Sequence, residues 1–259
     1  MTEPMVEGTA QPALPYLRSI ALKRGAIENL ESYPFNIPAV RELDGMEFAP
    51  GVTFLIGENG SGKSTLLEAI AVALGFNAEG GTRNFGFNTR ASHSVLHGCL
   101  RLVKSYKRPQ DGFFLRAESF FNVATNIEEL DQEGGFGMPI IHSYGGVSLH
   151  EQSHGESFLA LMVNRFGGKG LYVLDEPEAA LSPTRQLAVL DRMHQLVRDD
   201  SQFIIATHSP ILMAYPGARI YWLDGTGYNQ VRYEDTEHYE VTRRFLENPE
   251  RMLRMLFEP

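Results

Sequence analysis

Residues 52–74 read VTFLIGENGSGKSTLLEAIAVAL, and the interpretation of the whole chain starts from them. A β-branched, apolar run leads into a glycine-rich turn, and the turn leads into Lys63, Ser64 and a run of good helix formers. Strand, Gly-x-x-x-x-Gly-Lys-Ser and helix, in that order, are typical of a phosphate-binding loop. Glycines let backbone N–H groups curl around a phosphate, and the helix N-terminus adds the positive end of its dipole. The predicted loop residues are Gly57, Glu58, Asn59, Gly60, Ser61, Gly62, Lys63, Ser64 and Thr65.

Two side chains of this loop have distinct expected roles. Lys63 would reach the β- and γ-phosphates of a nucleotide, and the Ser64 hydroxyl would take a position on Mg²⁺. An ordinary glycine-rich turn is the alternative. It is disfavoured because the strand, the spacing, the lysine and the serine are all present.

The composition is that of a globular protein. Hydrophobic residues make up 43% of the 259 residues and charged residues 21%. The net charge of −9, from 23 basic and 32 acidic residues, argues against a surface that binds nucleic acid all over. The one cysteine, Cys99, excludes an internal disulfide and a cysteine-rich metal site, and it predicts a cytoplasmic location. We expect no secretory signal, because the N-terminal residues carry acids early and no apolar core segment. We also expect no membrane span, because no run of 18 apolar residues occurs.

Two apolar strands further along the chain end in polar residues. Residues 171–174 read LYVL and are followed by Asp175 and Glu176. Residues 204–206 read IIA and are followed by Thr207 and His208. A hard cation that bridges phosphates needs a carboxylate at a fixed place, which a strand tip supplies. The alternatives are two surface acids before a turn and a structural histidine. The position of the histidine one strand after the acids favours a functional role.

The order of these segments resembles the ATP-binding-cassette (ABC-type) ATPases, a family that spans transporter ATPase domains, RecF and the SMC proteins. The resemblance covers roughly residues 52–210. Residues 153–157 read SHGES where transporters have LSGGQ, and Glu178 follows the Asp-Glu-Pro. These two details place the chain nearest to the compact, stand-alone bacterial ATPases known as AAA-type predicted ATPases.

The resemblance implies ATP as the substrate and a role for each matching residue. Asp175 would be the Walker B aspartate that holds Mg²⁺, Glu176 would polarise the attacking water, and His208 would contact the γ-phosphate. The signature motif would reach the ATP bound by the opposite subunit of a head-to-tail homodimer. The alternative is a simple helix cap at Ser153 with Glu156 three residues later, and both can hold because a cap and an anion site use the same donors. The signature residues are Ser153, His154, Gly155 and Glu156.

The chain departs from the transporter pattern at two places. Ser182 stands where transporters usually carry Asp, and no Gln occupies a glutamine-loop position; Glu118 is the best substitute. The residue that stacks on adenine is also open. Tyr33 and Phe35 lie at a suitable distance before the phosphate loop, but a proline-flanked aromatic residue is as often a packing residue.

The predicted fold is α/β, a P-loop NTPase with a mostly parallel core sheet flanked by helices. We also expect an N-terminal antiparallel β piece and a small inserted helical or mixed lobe. Residues 1–15 are expected to form a flexible tail and residues 16–259 a single domain, with the inserted lobe at about 76–165.

Several individual elements are predicted outside the phosphate loop. Strands are expected at 17–27, 40–48, 99–106 and 112–118, a hairpin at 219–233, a helix at 182–197 and another at 237–257.

The leading functional hypothesis is a Mg²⁺-dependent ATPase, whose ATP-sandwich dimer drives a conformational change in an unidentified protein partner. One alternative is the ATPase subunit of a membrane transporter, which would need a transporter-like glutamine loop. Another is a nucleic-acid-associated ATPase in DNA repair or defence, which would need a local basic face. A nucleotide-gated module without hydrolysis is also open, although Glu176 argues against it. The candidate basic clusters are Arg101, Lys104, Lys107 and Arg108, and Arg243, Arg244, Arg251 and Arg254.

Overall fold

The computed structural model describes residues 14–82, 95–116, 139–148 and 154–258, together with positions 124, 125, 127, 128, 131 and 150. The strands, in chain order, are β1 (Leu17–Leu22), β2 (Asp44–Glu47), β3 (Val52–Ile56), β4 (Leu100–Lys104), β5 (Asp111–Arg116), β6 (Gly170–Asp175), β7 (Gln202–Ala206), β8 (Arg219–Asp224) and β9 (Gly227–Val231). The helices are α1 (Pro38–Arg41), α2 (Lys63–Ala73), α3 (His154–Ala160), α4 (Pro183–Arg198), α5 (Pro210–Met213), α6 (Glu237–Glu247) and α7 (Pro249–Phe257). A π-helical turn at Leu161–Arg165 extends α3.

Six strands form the central sheet, in the order β5-β6-β7-β3-β8-β9. The first five run parallel, and β9 pairs antiparallel with β8 in the predicted hairpin. Every residue of β3, β6 and β7 is buried, as expected for parallel strands covered on both faces. Parallel strands end at the same edge of a sheet, so the residues that follow these three strands lie together.

A second, three-stranded antiparallel sheet has the order β2-β1-β4. Apolar side chains fill the space between this sheet, α2 and one face of the central sheet. Members of this first core include Ile20, Met46, Leu67, Ile70 and Ile204. It holds the helix of the phosphate loop against the central sheet.

A second core covers the opposite face of the central sheet. It joins α3 and α4 to the central strands through side chains such as Phe158, Met193, Tyr172 and Phe203. Ser182 caps α4 by accepting from the N–H of Arg185, and Pro183 takes the first helical position.

The two sheets are also joined by the buried amide of Gln202 in β7. Its Oε1 accepts from the N–H of Leu17 at 2.9 Å, and its Nε2 donates to the carbonyls of Leu17 and Ala49 at 2.9 and 3.0 Å. A buried amide with its hydrogen bonds satisfied fixes the relative position of the elements that it joins.

The predicted α/β fold with a parallel-rich sheet, an antiparallel sheet and flanking helices is confirmed. The antiparallel sheet is not wholly N-terminal, because β4 belongs to it. The strands predicted at 99–106 and 112–118 correspond to β4 and β5, which join different sheets. The domain bounds and the inserted lobe remain predictions.

Two of the predicted elements are wrong. The single strand expected at 40–48 is instead the end of α1, a short turn and then β2, because Pro38 starts a helix at the position where its missing N–H costs nothing. The single helix expected at 237–257 is broken into α6 and α7. Pro249 cannot continue a helix, and the extended Asn248 caps α7 by accepting from the N–H of Arg251 at 3.0 Å.

Across the described residues, every helix is too short or too polar to meet the requirements of a membrane span.

Candidate nucleotide site

The carboxyl ends of three neighbouring strands bring most of the predicted site residues together. The phosphate loop follows β3, Asp175 ends β6, and His208 follows β7, which lies between the other two strands. At this edge the Ser64 hydroxyl donates to Oδ1 of Asp175 at 3.1 Å. Two residues that lie 111 positions apart in the chain therefore meet at one point of the fold.

The loop conformation depends on its glycines. Gly57, Gly60 and Gly62 have φ values of +146°, +83° and +95°, which other residues rarely adopt. A Cβ at Gly57 would lie 2.2 Å from the carbonyl oxygen of Leu223, and one at Gly62 would lie 2.6 Å from a methyl group of Ile37. Two of the glycines are therefore required both by backbone conformation and by close packing.

Gly57→Ala is expected to lower the free energy of unfolding by about 2–4 kcal/mol, because it combines a strained φ with a clash against backbone. Gly60→Ala is the matched control. Among the described residues, no atom beyond its two chain neighbours lies within 4 Å of its new methyl group, so only the cost of the strained backbone, about 1–2 kcal/mol, remains. Urea unfolding followed by circular dichroism measures both. Equal losses would contradict the packing argument.

Lys63 is a buried cation that is already placed at the loop. Lys63 as a residue is only 4% exposed. Its ammonium donates to the carbonyls of Gly57 and Glu58, both at 2.8 Å. Burial lowers the pKa of Lys63, and the carboxylates of Glu176 and Asp175 oppose that shift. These acids and carbonyls compensate the charge in the absence of a phosphate.

The donor set around Ser64 and Asp175 fits Mg²⁺. A hydroxyl and a carboxylate are hard oxygen ligands, and Mg²⁺ in nucleotide sites usually takes few protein ligands, with phosphate oxygens and water completing its shell. Within the described part of the chain, no group of three or more His, Cys, Asp or Glu side chains could hold a metal by itself. The site therefore fits a cation that arrives with phosphates better than an all-protein metal centre.

Glu176 and His208 face each other at the same edge. Oε1 of Glu176 lies 3.6 Å from Nε2 of His208, and the two side chains are 40% and 32% exposed, although Nε2 of His208 is itself buried. Glu176 has a φ of +49°, uncommon for a residue with a side chain, and its N–H donates to the Ala206 carbonyl at 2.9 Å. The hydrogen bond to β7 holds this carboxylate beside the histidine.

Glu178 is a site residue to which the sequence assigns no role. Its Oε1 accepts from the backbone N–H of His208 at 2.6 Å. Burial raises the pKa of Glu178, while hydrogen bonds from His208 and Thr207 act in the opposite direction. The only signal in the sequence is an acid two residues after Glu176, which does not reveal its partner. Glu178 ties the loop after β6 to the loop after β7.

Glu178→Ala is expected to lower the free energy of unfolding by about 1–3 kcal/mol, because it leaves the part-buried N–H of His208 unpaired. Glu178→Gln keeps an acceptor oxygen and should lose less. Urea unfolding at pH 7 compares the two variants. A glutamine variant as unstable as the alanine variant would show that the hydrogen bond is not what matters.

A cavity of about 730 Å³ opens beside these residues, and the sequence does not predict its far wall. Glu58, Glu176 and His208 line one side, and α6 lines the other. The α6 residues in the wall are Glu237, His238, Val241 and Thr242, with Trp222 of β8 beside them.

The predicted signature segment is described only in part. Ser153 lies outside the described residues, and His154 begins α3. Gly155 is buried, and a Cβ there would lie 2.6 Å from the carbonyl oxygen of Ala180. Glu156 is exposed and pairs with Arg185 at 3.1 Å. The start of α3 therefore packs on the segment that joins β6 to α4.

The other predicted candidates fall in different places. Glu118 lies outside the described residues. Tyr33 is 66% exposed, and its hydroxyl is 3.3 Å from that of Thr65, next to the phosphate loop. Phe35 is buried in the first core, so it is a packing residue and not available to an adenine ring. Of the two aromatic candidates, Tyr33 stays a prediction.

The central strand β3 leads through Gly-x-x-x-x-Gly-Lys-Ser into a helix, and β6, separated from it by β7, ends in an aspartate that meets the serine of the loop. This arrangement defines a P-loop NTPase. Residues 26–127 match a family model described as "AAA domain", and residues 105–214 match one described as "AAA domain, putative AbiEii toxin, Type IV TA system". Each match covers less than half of the chain, and both models describe AAA domains, in agreement with the P-loop NTPase that the site defines.

The chain is also similar to individual proteins. It is 26% identical over 176 residues to an ABC transporter G family member, STR2, of Medicago truncatula. The aligned region covers 61% of this chain and 24% of the relative. It is 34% identical over 76 residues to an uncharacterized ABC transporter ATP-binding protein of Haemophilus influenzae, which covers 29% of each. The chain thus spans about a quarter of the length of these curated relatives. The structure is similar to the solved SMC head domain from Thermotoga maritima, with a TM-score of 0.42 and 17% sequence identity. The match covers 83% of this chain and 98% of the SMC head domain chain.

Proposed function

We propose that the protein binds ATP with Mg²⁺ and hydrolyses it to ADP and phosphate. The observation that carries the proposal is the meeting of the phosphate-loop serine with the β6 aspartate at 3.1 Å, at the edge where Glu176 and His208 also lie. Phosphoryl transfer needs little covalent chemistry from the protein, so positioned charges and hydrogen-bond donors are sufficient.

On the phosphate side, the loop N–H groups and the Lys63 ammonium would bind the β- and γ-phosphates. Lys63 would exchange its bonds to two loop carbonyls for bonds to phosphate oxygens. Ser64 and Asp175 would hold Mg²⁺, which when bound neutralises charge on the phosphate oxygens.

On the water side, Glu176 would orient the attacking water and accept its proton. The carboxylate is partly exposed, so water has access, and the hydrogen bond of its N–H to β7 keeps it in place. His208 would donate from Nε2 to a γ-phosphate oxygen as charge develops there.

We further propose that two copies of the chain form a head-to-tail sandwich around ATP. The signature segment at the start of α3 would supply Ser153, His154, Gly155 and Glu156 to the ATP of the partner copy. A serine hydroxyl and backbone N–H groups at a helix N-terminus suit an incoming phosphate. Closure on ATP and opening after hydrolysis would drive a conformational change in a protein partner. Such an enzyme, with one cysteine, fits the reducing cytoplasm.

The ATPase subunit of a transporter is the second candidate, because both curated relatives carry transporter names. The nucleic-acid alternative has less support. Lys107 pairs with Asp200 at 3.0 Å, Arg243 lies 3.5 Å from Glu247, and Arg244 pairs with Glu240. These ion pairs reduce the positive charge that each candidate basic cluster could offer to phosphates.

Release of phosphate from ATP tests the proposal. We expect turnover with Mg²⁺ and its loss with EDTA, and an absence of turnover in both conditions would refute hydrolysis. Duplex DNA added across a salt series distinguishes the processes. Stimulation that falls steeply with salt would favour the nucleic-acid alternative, and identification of a co-purified membrane subunit would favour the transporter.

A further inference from the structure

A histidine from the C-terminal part of the chain contacts the histidine at the proposed phosphate end of the site. His238 lies in the first turn of α6, and its Nε2 is 3.2 Å from Nδ1 of His208. The ring centroids are 5.4 Å apart. Trp222 packs edge-on against His238, with 6.0 Å between ring centroids, and supports it from β8.

The hydrogen-bonding options of the two rings restrict where their protons lie. Of two facing ring nitrogens, one must donate and the other accept. The other two nitrogens, Nδ1 of His238 and Nε2 of His208, are buried and have no hydrogen-bond partner among the described residues. Nε2 of His208 does lie 3.6 Å from the carboxylate of Glu176, which favours a proton at that nitrogen. A neutral His208 then accepts at Nδ1, so His238 must be the donor.

The surroundings keep His238 neutral, as this arrangement requires. Burial lowers the pKa of His238, and the positive charge of Lys63 lowers it further, while Glu237 opposes the shift. A charge on the adjacent His208 would act in the same direction as Lys63. A neutral His238 with its proton on Nε2 leaves Nδ1 bare, which agrees with the lack of an acceptor for that atom among the described residues. Further charged groups at this end of the site include Glu58, Asp175, Glu176 and Glu178.

We propose that His238 is a positioning residue, which donates its Nε2–H to Nδ1 of His208 and so holds the His208 ring with its own Nε2–H toward the phosphate end of the site. The proposal rests on the function proposed above. His238 would act through His208, by fixing its tautomer and its ring orientation before ATP arrives. Because the Nε2–H of His208 is already oriented, no free energy is needed to orient it during the reaction. We therefore expect a higher kcat with His238 than without it.

The first test examines the tautomer without nucleotide and does not depend on activity. Long-range ¹H–¹⁵N NMR of the histidine rings in the full-length protein at pH 8 distinguishes Nε2–H from Nδ1–H, with a His208→Gln variant to assign the signals. We expect His208 to be the Nε2–H tautomer, and His238→Phe to give a mixture of tautomers. An Nδ1–H tautomer in the unsubstituted protein, or an unchanged His208 signal in the variant, would overturn the proposal.

The second test uses kinetics. His238→Phe keeps a ring against Trp222 and removes the donor, so kcat should fall about tenfold while KM for ATP changes by less than about twofold. His238→Gln can place an amide N–H where Nε2 lies, and it should recover kcat to within about threefold. His194→Phe is the matched control, because His194 lies on α4, its Nδ1 is 3.4 Å from the Tyr215 hydroxyl, and it is not among the residues that line the cavity.

The two tests separate failure of this inference from failure of the proposed function. An unsubstituted protein with no ATP turnover refutes the proposed function, and the NMR experiment still decides the hydrogen bond. An active protein whose His238→Phe variant keeps its kcat refutes the inference. A glutamine variant as slow as the phenylalanine variant, with both melting within a few degrees of the parent, refutes it as well.

Discussion

Lys63→Ala is expected to lower ATP affinity and turnover by at least about a hundredfold, the range seen when one preorganised donor to developing charge is removed. The ammonium of Lys63 is buried and held at the loop by two carbonyls at 2.8 Å, so a phosphate meets a cation that is already in place. Alanine removes that charge and leaves the carbonyls of Gly57 and Glu58 facing the phosphate. Their partial negative charge would repel it.

Two measurements check this prediction. Trp222 is the one tryptophan of the chain and lines the cavity beside the loop, so its fluorescence reports ATP binding. Phosphate release reports turnover. Lys104→Ala is the control, because Lys104 is an exposed lysine on β4, away from the loop. Binding of ATP by Lys63→Ala with unchanged affinity would mean that the phosphates lie elsewhere.

Glu176→Gln is expected to lower kcat by at least about a hundredfold while ATP binding is retained. Glutamine has nearly the same shape but cannot accept the proton of the attacking water. The side chain is 40% exposed and its backbone is held by β7, so the substitution should not disturb the fold. ATP that binds and is not hydrolysed should trap the sandwich dimer.

Phosphate release and size-exclusion chromatography with light scattering, each with ATP and Mg²⁺, measure the two effects. Glu250→Gln, an exposed acid on α7, serves as the control. A Glu176→Gln variant that stays monomeric with ATP and Mg²⁺ would remove the support for the dimer. Turnover at the parent rate would show that another group activates the water.

The local elements around the site could be predicted from the sequence with little ambiguity. The glycine spacing of the phosphate loop, the apolar runs of β6 and β7, and the Ser-Pro start of α4 each specify the conformation of a few consecutive residues. The interruptions of helices were harder to predict. The apolar residues of 237–257 follow a helical pattern on both sides of Asn248. Periodicity alone therefore predicts one continuous helix and misses the interruption at Pro249.

The sequence by itself determined which segment forms the candidate phosphate loop and which two strands carry the acids and the histidine, because each of those signals lies within about ten consecutive residues. Only the tertiary structure decided which distant side chains meet: Ser64 with Asp175, the His208 N–H with Glu178, and the His208 ring with His238. Local propensity and periodicity set the conformation of an element and the face that it buries. Contacts between elements depend on strand order and on how the helices pack across the sheet. Neither can be predicted from one segment of the sequence alone.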